Sequence, residues 1–249
     1  MRNQLTFFLL MFIACSEVPH TKVPITEPIT YPYNTAHYSF YYTSYDSSII
    51  KAAGDSLEKH YLRIVNDLGS DTLPVVKIFI YTNYEDLAAA VAHVVPDLPP
   101  WAKGLAISGS EIHIISPNLS GPEINSMLSI LVHEFAHCVS YHIRPNIANN
   151  PRWLWESVAV YEAGQFVNPH NIPYLVSHDP PSLDQLNSFN NTMIYDVGFL
   201  LAEYIIINRG KANFINMIKT NGNIQQVLGK STEEFQKGWF EFVVKKYGI

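Results

Sequence analysis

Apolar residues recur along this chain in two periods, and the period changes near its middle. Residues 37–44 alternate aromatic and polar side chains, as a half-buried strand does. Over 46–68 the apolar positions Ile49, Ala53, Leu57, Tyr61, Ile64 and Leu68 fall at helical spacing, which predicts a helix stopped by Gly69. The run 75–81 (VVKIFIY) is rich in β-branched residues and reads as a strand. Residues 84–95 predict a short helix ended by Pro96. Short strands at 104–108 and 111–116 flank Gly109-Ser110 and predict a hairpin. Helical periods then take over, at 122–142, at 151–166 with Pro151 near its first turn, and at 195–208, 211–220 and 232–247. Strands first and helices after predict an α+β fold: a small mixed sheet with helices packed on it, then a helical lobe. The lobes are expected to divide near residue 143, into 36–143 and 144–249.

The first residues follow neither period. Met1-Arg2-Asn3-Gln4 carries one positive charge, and the apolar stretch from Leu5 to Ala14 (LTFFLLMFIA) is half the ~20 residues needed to span a bilayer. Residues 1–14 read as a signal peptide. The stretch ends in Phe12-Ile13-Ala14-Cys15, which resembles the lipobox of bacterial lipoproteins, with Phe12 where leucine is usual. That resemblance implies cleavage before Cys15 and lipidation of Cys15. Pro19, Pro24, Pro28 and Pro32 then make 15–35 an expected extended tether. The folded domain is expected over 36–249, exported to the bacterial cell envelope and held at a membrane by the lipid, or secreted if the lipobox is not used. The second cysteine, Cys138, reads as a small buried apolar residue, and no disulfide is expected.

Composition narrows the partners. Hydrophobic residues at 47% and charged residues at 15% fit a folded protein rather than a disordered one. A net charge of −6 lacks the basic surplus that neutralising phosphates requires, so no nucleic-acid partner is expected. Nothing in the sequence indicates an oligomeric state.

The chemistry is concentrated at His133-Glu134-Phe135-Ala136-His137, an HExxH pentad inside the apolar run that begins at Met127. On a helix, residues i and i+4 share a face, so both imidazoles can hold one metal ion while Glu134 polarises a water beside it. With 10 histidines in 249 residues, roughly 0.02 such pentads are expected by chance. A catalytic zinc takes three protein ligands. The metzincin continuation fails, because Ser140 and Ile143 stand where its glycine and third histidine belong. Glu156, separated from His137 by residues 138–155, lies on the next predicted helix, and two antiparallel helices would return it to the metal.

His133, Glu134, His137 and the later segment Pro151-Arg152-Trp153-Leu154-Trp155-Glu156-Ser157-Val158-Ala159-Val160-Tyr161 together resemble the peptidase MA-like gluzincins, whose second segment typically reads PxWLxEGxAxYxE. The resemblance implies a zincin fold, a Zn²⁺ ion held by His133, His137 and Glu156, and peptide-bond hydrolysis with Glu134 as general base. Trp155 and Ser157 replace the common Asn and Gly. Val160 stands where relatives often carry an acid that orients a zinc-bound histidine, so another group must do this. Glu162 points away on an ideal helix and reads as salt-bridged or solvated. Relatives often supply an oxyanion-stabilising tyrosine from a later helix, and the segment 192–204 (TMIYDVGFLLAEY) implies Tyr195 in that role. Tyr161 is expected to pack in the core. His142, His170 and His178 are weaker candidates for substrate contact. The strand 104–108 precedes the pentad helix and is expected to pair with extended substrate. The Gly-x-Met-Glu-Asn motif of aminopeptidase relatives is missing, so an endopeptidase acting on a peptide or protein substrate is expected. The competing expectations are a catalytically inactive pseudo-peptidase that binds envelope partners, and a metal hydrolase acting on a non-peptide amide.

Overall fold

The computed structural model describes residues 29–116 and 124–249. The expected signal peptide, Cys15 and the first part of the expected tether lie outside the described residues. Strand β1 (Tyr31–Asn34) corrects the rest of that tether. It pairs antiparallel with β2 (Tyr38–Tyr42), and its tyrosines meet aromatic partners across the ladder, Tyr31 with Tyr42 and Tyr33 with Phe40. Pro32 is compatible with this because β1 is an edge strand.

Helix α1 (Ile50–Asp67) then crosses over to β3 (Val76–Tyr81), which lies parallel to β2. Helix α2 (Tyr84–Val91) follows, its first turn capped by the Asn83 side chain. The hairpin β4 (Gly104–Ser108) and β5 (Glu111–Ile115) completes a five-stranded mixed sheet in the order β1-β2-β3-β5-β4. A register shift between Ala106 and Ser108 bends β4, which is the other edge.

Side chains alternate across this sheet, so its two faces do different work. Tyr38, Phe40, Val76, Ile78, Ile80, Ile112 and Ile114 are buried on the face covered by α1 and by α3 (Ile124–Ile143). Phe79, Tyr81 and Ile115 turn the other way and pack with Leu87 and Val91 of α2 in a smaller apolar cluster. The helical half begins with α4 (Arg152–Glu162), then the short α5 (Pro173–Val176) and α6 (Leu183–Asn187), then α7 (Met193–Arg209), α8 (Lys211–Lys219), α9 (Ile224–Leu228) and α10 (Thr232–Tyr247).

Helices α4 and α7 lie side by side, brought together at Gly198. A Cβ there would stand 3.3 Å from the Ser157 backbone and 3.5 Å from Val160. One apolar core runs from Tyr38 in the sheet through Phe135, Trp153 and Val158 to Trp239 and Val243 in α10, across the expected lobe boundary. Among the described residues, no helix is long and apolar enough to cross a membrane.

Candidate metal centre

Helix α3 is apolar on nearly every side where it passes between the sheet and α4. Leu131, Phe135, Ala136, Cys138 and Val139 are fully buried. Phe135, inside the pentad, packs edge-on to Tyr38 and stacks on Tyr61, with ring centroids 5.3 and 5.4 Å away. His133, Glu134 and His137 are therefore presented from a helix whose rotation is fixed by packing. Helix α4 is equally enclosed: every residue from Arg152 through Val160 is buried. Its Glu156 carboxylate meets α3 at the two imidazoles.

Glu156 Oε2 lies 3.3 Å from His133 Nε2 and 3.7 Å from His137 Nε2. Among the described residues, His133, His137 and Glu156 are the one group of at least three His, Cys, Asp or Glu side chains with ligand atoms all within 4.8 Å of one another. All three are buried, and Glu156 Oε2 has no hydrogen-bond partner. Its distances to the imidazoles exceed those of charge-assisted hydrogen bonds. The three ligand atoms instead converge on a shared point, which suits a cation. Two imidazole nitrogens and one carboxylate also match the donor set of a catalytic zinc site.

Burial pushes the Glu156 carboxyl up, but His133 and His137 outweigh it and hold the group well below the usual carboxylate range. Burial takes His137 down to about 4. Burial also lowers His133, but Glu156 and Glu134 reverse the direction and raise it.

Around this group the structure supplies partners that the sequence did not announce. His133 Nδ1 is 2.9 Å from Gln165 Oε1, and the same amide donates to Ser129 Oγ at 3.1 Å. The His137 ring stacks on Trp155, 3.9 Å between centroids and 7° between planes. Arg152 donates through Nη1 to the carbonyls of Leu186, Ser188 and Asn191, and through Nη2 to the Tyr195 hydroxyl. Its Nε is 3.9 Å from Glu156 Oε1. Arg152 thus ties the loop before α7 to the helix that carries Glu156. Its place in the Pro-Arg-Trp-Leu segment was visible in the sequence, but this job was not.

Glu134 accepts a hydrogen bond from the Ala106 N–H, 2.8 Å. The backbone of β4 therefore touches the expected base directly. Burial pushes the Glu134 carboxyl up to about 7, Glu156 adding to the rise while His133 and the Ala106 N–H oppose it. Gly104 permits this approach, because a Cβ there would stand 3.1 Å from Glu134 Cγ and Oε1. Lys103 O faces the neighbouring strand, where it accepts from Ile115 N, so by alternation Gly104 and Ala106 turn their polar groups towards the cleft.

Two cavities meet at the group. One, of about 270 Å³, includes Val94, Leu98, Tyr141, Arg152 and Trp155 in its walls; the other, of about 510 Å³, includes Ile130, Gln165, Phe166, Val167 and Thr192. Trp101, Gly104, His133, Glu134 and Tyr195 line both. Tyr195 thus lies in the cleft wall, its ring centroid 6.3 Å from that of His133. Burial, followed by the nearby Glu156, raises its phenol well above the ordinary value. Trp101 and Phe189 form the rim, with centroids 6.5 Å apart.

The other candidates lie elsewhere. His142 is exposed near the end of α3. His170 meets the Tyr247 carbonyl, and His178 lies against Phe240. Tyr161 packs between Phe199 and Phe214. Glu162 is bound by Arg63 at 2.7 Å and Cys138 is a buried free thiol, both in line with the sequence reading. No protein-family model matches the chain, and no curated protein matches its sequence.

Proposed function

We propose that this chain is a zinc-dependent peptidase of the gluzincin kind, cutting within extended peptides. The observation that carries the proposal is the convergence of His133, His137 and Glu156 on one point, with Glu134 on the wall of the same cleft. The succession of a mixed sheet, a pentad helix and a second ligand helix supports a zincin-like arrangement.

Zinc bound by these three side chains would act as a Lewis acid, polarising the scissile carbonyl and acidifying a water. Glu134, with a carboxyl lifted to about 7, is matched to removing a proton from the attacking water near neutrality and passing it to the leaving amine. Tyr195 lines the same two cavities and remains protonated, so its hydroxyl can donate to the oxyanion. The edge position of β4 and the outward groups of Gly104 and Ala106 support strand-wise binding of substrate. Because Glu134 takes the Ala106 N–H, the carbonyls of these two residues and the Gly104 N–H are the groups left for a peptide. The sequence alone supports export and a lipid anchor at Cys15.

Elemental analysis of the purified protein, paired with hydrolysis of a mixed peptide library, tests this reading. Wild type should carry about one zinc per chain, and Glu156→Ala should carry far less. Glu134→Gln and Tyr195→Phe should keep the zinc while losing about 10²-fold or more in turnover. Zinc binding without cleavage of any peptide would favour a pseudo-peptidase that binds envelope partners. Cleavage confined to non-peptide amides would favour the other hydrolase class.

A further inference from the structure

A histidine that ligates through Nε2 must carry its proton on Nδ1, and whatever accepts that proton sets both tautomer and ring rotation. In this chain the acceptor for His133 is neither a carboxylate nor a backbone carbonyl. Gln165 Oε1 is 2.9 Å from Nδ1. The amide is itself oriented, because its nitrogen donates to Ser129 Oγ at 3.1 Å. Ser129 lies one turn before His133 on the same helix, and a flipped amide would set its NH2 against the Nδ1 proton of His133, donor facing donor.

The position of Gln165 follows from the way α4 ends. Gly164 adopts φ +66°, its N–H bonds to the Tyr161 carbonyl at 3.0 Å, and the Gln165 N–H reaches back to the Val160 carbonyl at 3.0 Å. This is a Schellman closure, and it turns the chain back over the helix end. The helix that carries Glu156 therefore also aims the amide at His133. Val160, four residues after Glu156, is fully buried and lies against Gly198, so no polar side chain occupies that place.

We propose that Gln165 is the positioning residue for His133, a neutral amide that locks the metal-binding tautomer and ring orientation without adding charge. Two carboxylates, Glu134 and Glu156, are already buried at the site, and a third would have to be compensated as well. The inference rests on the metal-centre reading above.

The test is zinc affinity by chelator competition for the wild-type protein, Gln165→Leu, Gln165→Glu and Ser129→Ala. It is paired with the downfield NMR signal of the hydrogen-bonded His133 Nδ1 proton. Gln165→Leu should bind zinc about 10–100-fold more weakly and lose that signal. Gln165→Glu, which restores an acceptor, should recover affinity to within a few-fold and keep the signal. Ser129→Ala should fall between them, and it decides the matter if the leucine variant does not fold. Unchanged affinity and an unchanged signal in folded Gln165→Leu, or in Ser129→Ala where only that variant folds, would overturn the assignment while leaving the metal centre standing. A wild-type protein that binds no zinc would overturn both.

Discussion

The three charged side chains on α4 are buried, and each meets a different neighbour. Arg152 donates to the carbonyls ahead of α7 and Glu162 accepts from Arg63, while Glu156 faces the two imidazoles with no hydrogen bond to its Oε2. Burial pushes the Glu162 carboxyl up to about 7, against the pull of Arg63. A carboxyl whose folded pKa lies above its unfolded value binds more protons folded than unfolded between those two values. Its contribution to stability is therefore fully present below about 4.5 and is lost as pH rises through about 7. Glu162→Gln should remove this dependence. The difference in unfolding free energy between wild type and variant should move by about 1 kcal/mol per pH unit across pH 5–7, measured in urea, and stay flat above pH 8. A constant difference over the whole range would mean that the carboxyl is ionised throughout.

The residues of the proposed metal site were legible because their convergence depends on spacing along regular helices. His133 and His137 share a face by arithmetic, and Glu156 follows on the next helix. Gln165 and Arg152 were not legible as partners. Their types are chemically unspecific, and their contacts, to Ser129 and to the carbonyls at 186–191, bridge 34–39 residues of sequence.

Among the elements, β4 has a double attachment. One edge is bonded to β5 and the other reaches Glu134 through the Ala106 N–H. Ala106→Pro deletes that donor without breaking a ladder bond to β5, and Glu134 must turn aside from the proline ring. The variant should fold and bind zinc as wild type does, yet lose about 10-fold or more in kcat, because Glu134 then relies on water for its hydrogen bond. Unchanged kcat in a folded variant would show that the contact is incidental to the base.

The long helices and the central strands were readable from periodicity, within a few residues at each end. The strand β1 was not, because Pro32 and the prolines ahead of it suggested a tether while the strand's tyrosines carry the pairing. The short helices α5, α6 and α9 were missed for a related reason. Each has only four or five residues, too few for a period of 3.6 to declare itself, and α6 and α9 are fixed by Ser182 and Asn223 caps.

At the scale of the whole molecule, the candidate metal centre sits within a single continuous core rather than at its margin. Phe135 stacks on Tyr61, and Tyr61 stacks on His37 with centroids 3.6 Å apart, so rings link the pentad helix to the start of β2. Burying His133, Glu134, His137 and Glu156 together without a cation leaves like charges close and Glu156 Oε2 without a hydrogen bond. Stripping zinc should therefore loosen the whole fold and not one loop. With free zinc at a thousand times Kd, the holo form should be more stable by about 4 kcal/mol, or about 8–16 °C in Tm for a chain of this size. A scan of the chelated protein before and after zinc is restored checks this. Equal melting temperatures would mean that zinc makes no net contribution to the folded state.

The two cavities share the walls that hold His133, Glu134 and Tyr195, yet they differ in enclosure and lining. For the proposed zinc peptidase, that geometry bears on inhibitor design. A chelating head at the shared wall has an exit to each side, and an arm in one cavity does not compete with an arm in the other. Once the head is seated, each arm binds at the effective concentration set by its linker, so gains from the two sides multiply in affinity. The unlike shapes also give the molecule a direction. A head carrying its arms in the reverse order would bind more weakly with the same atoms, so the cleft would distinguish two isomers that differ only in polarity along the chain.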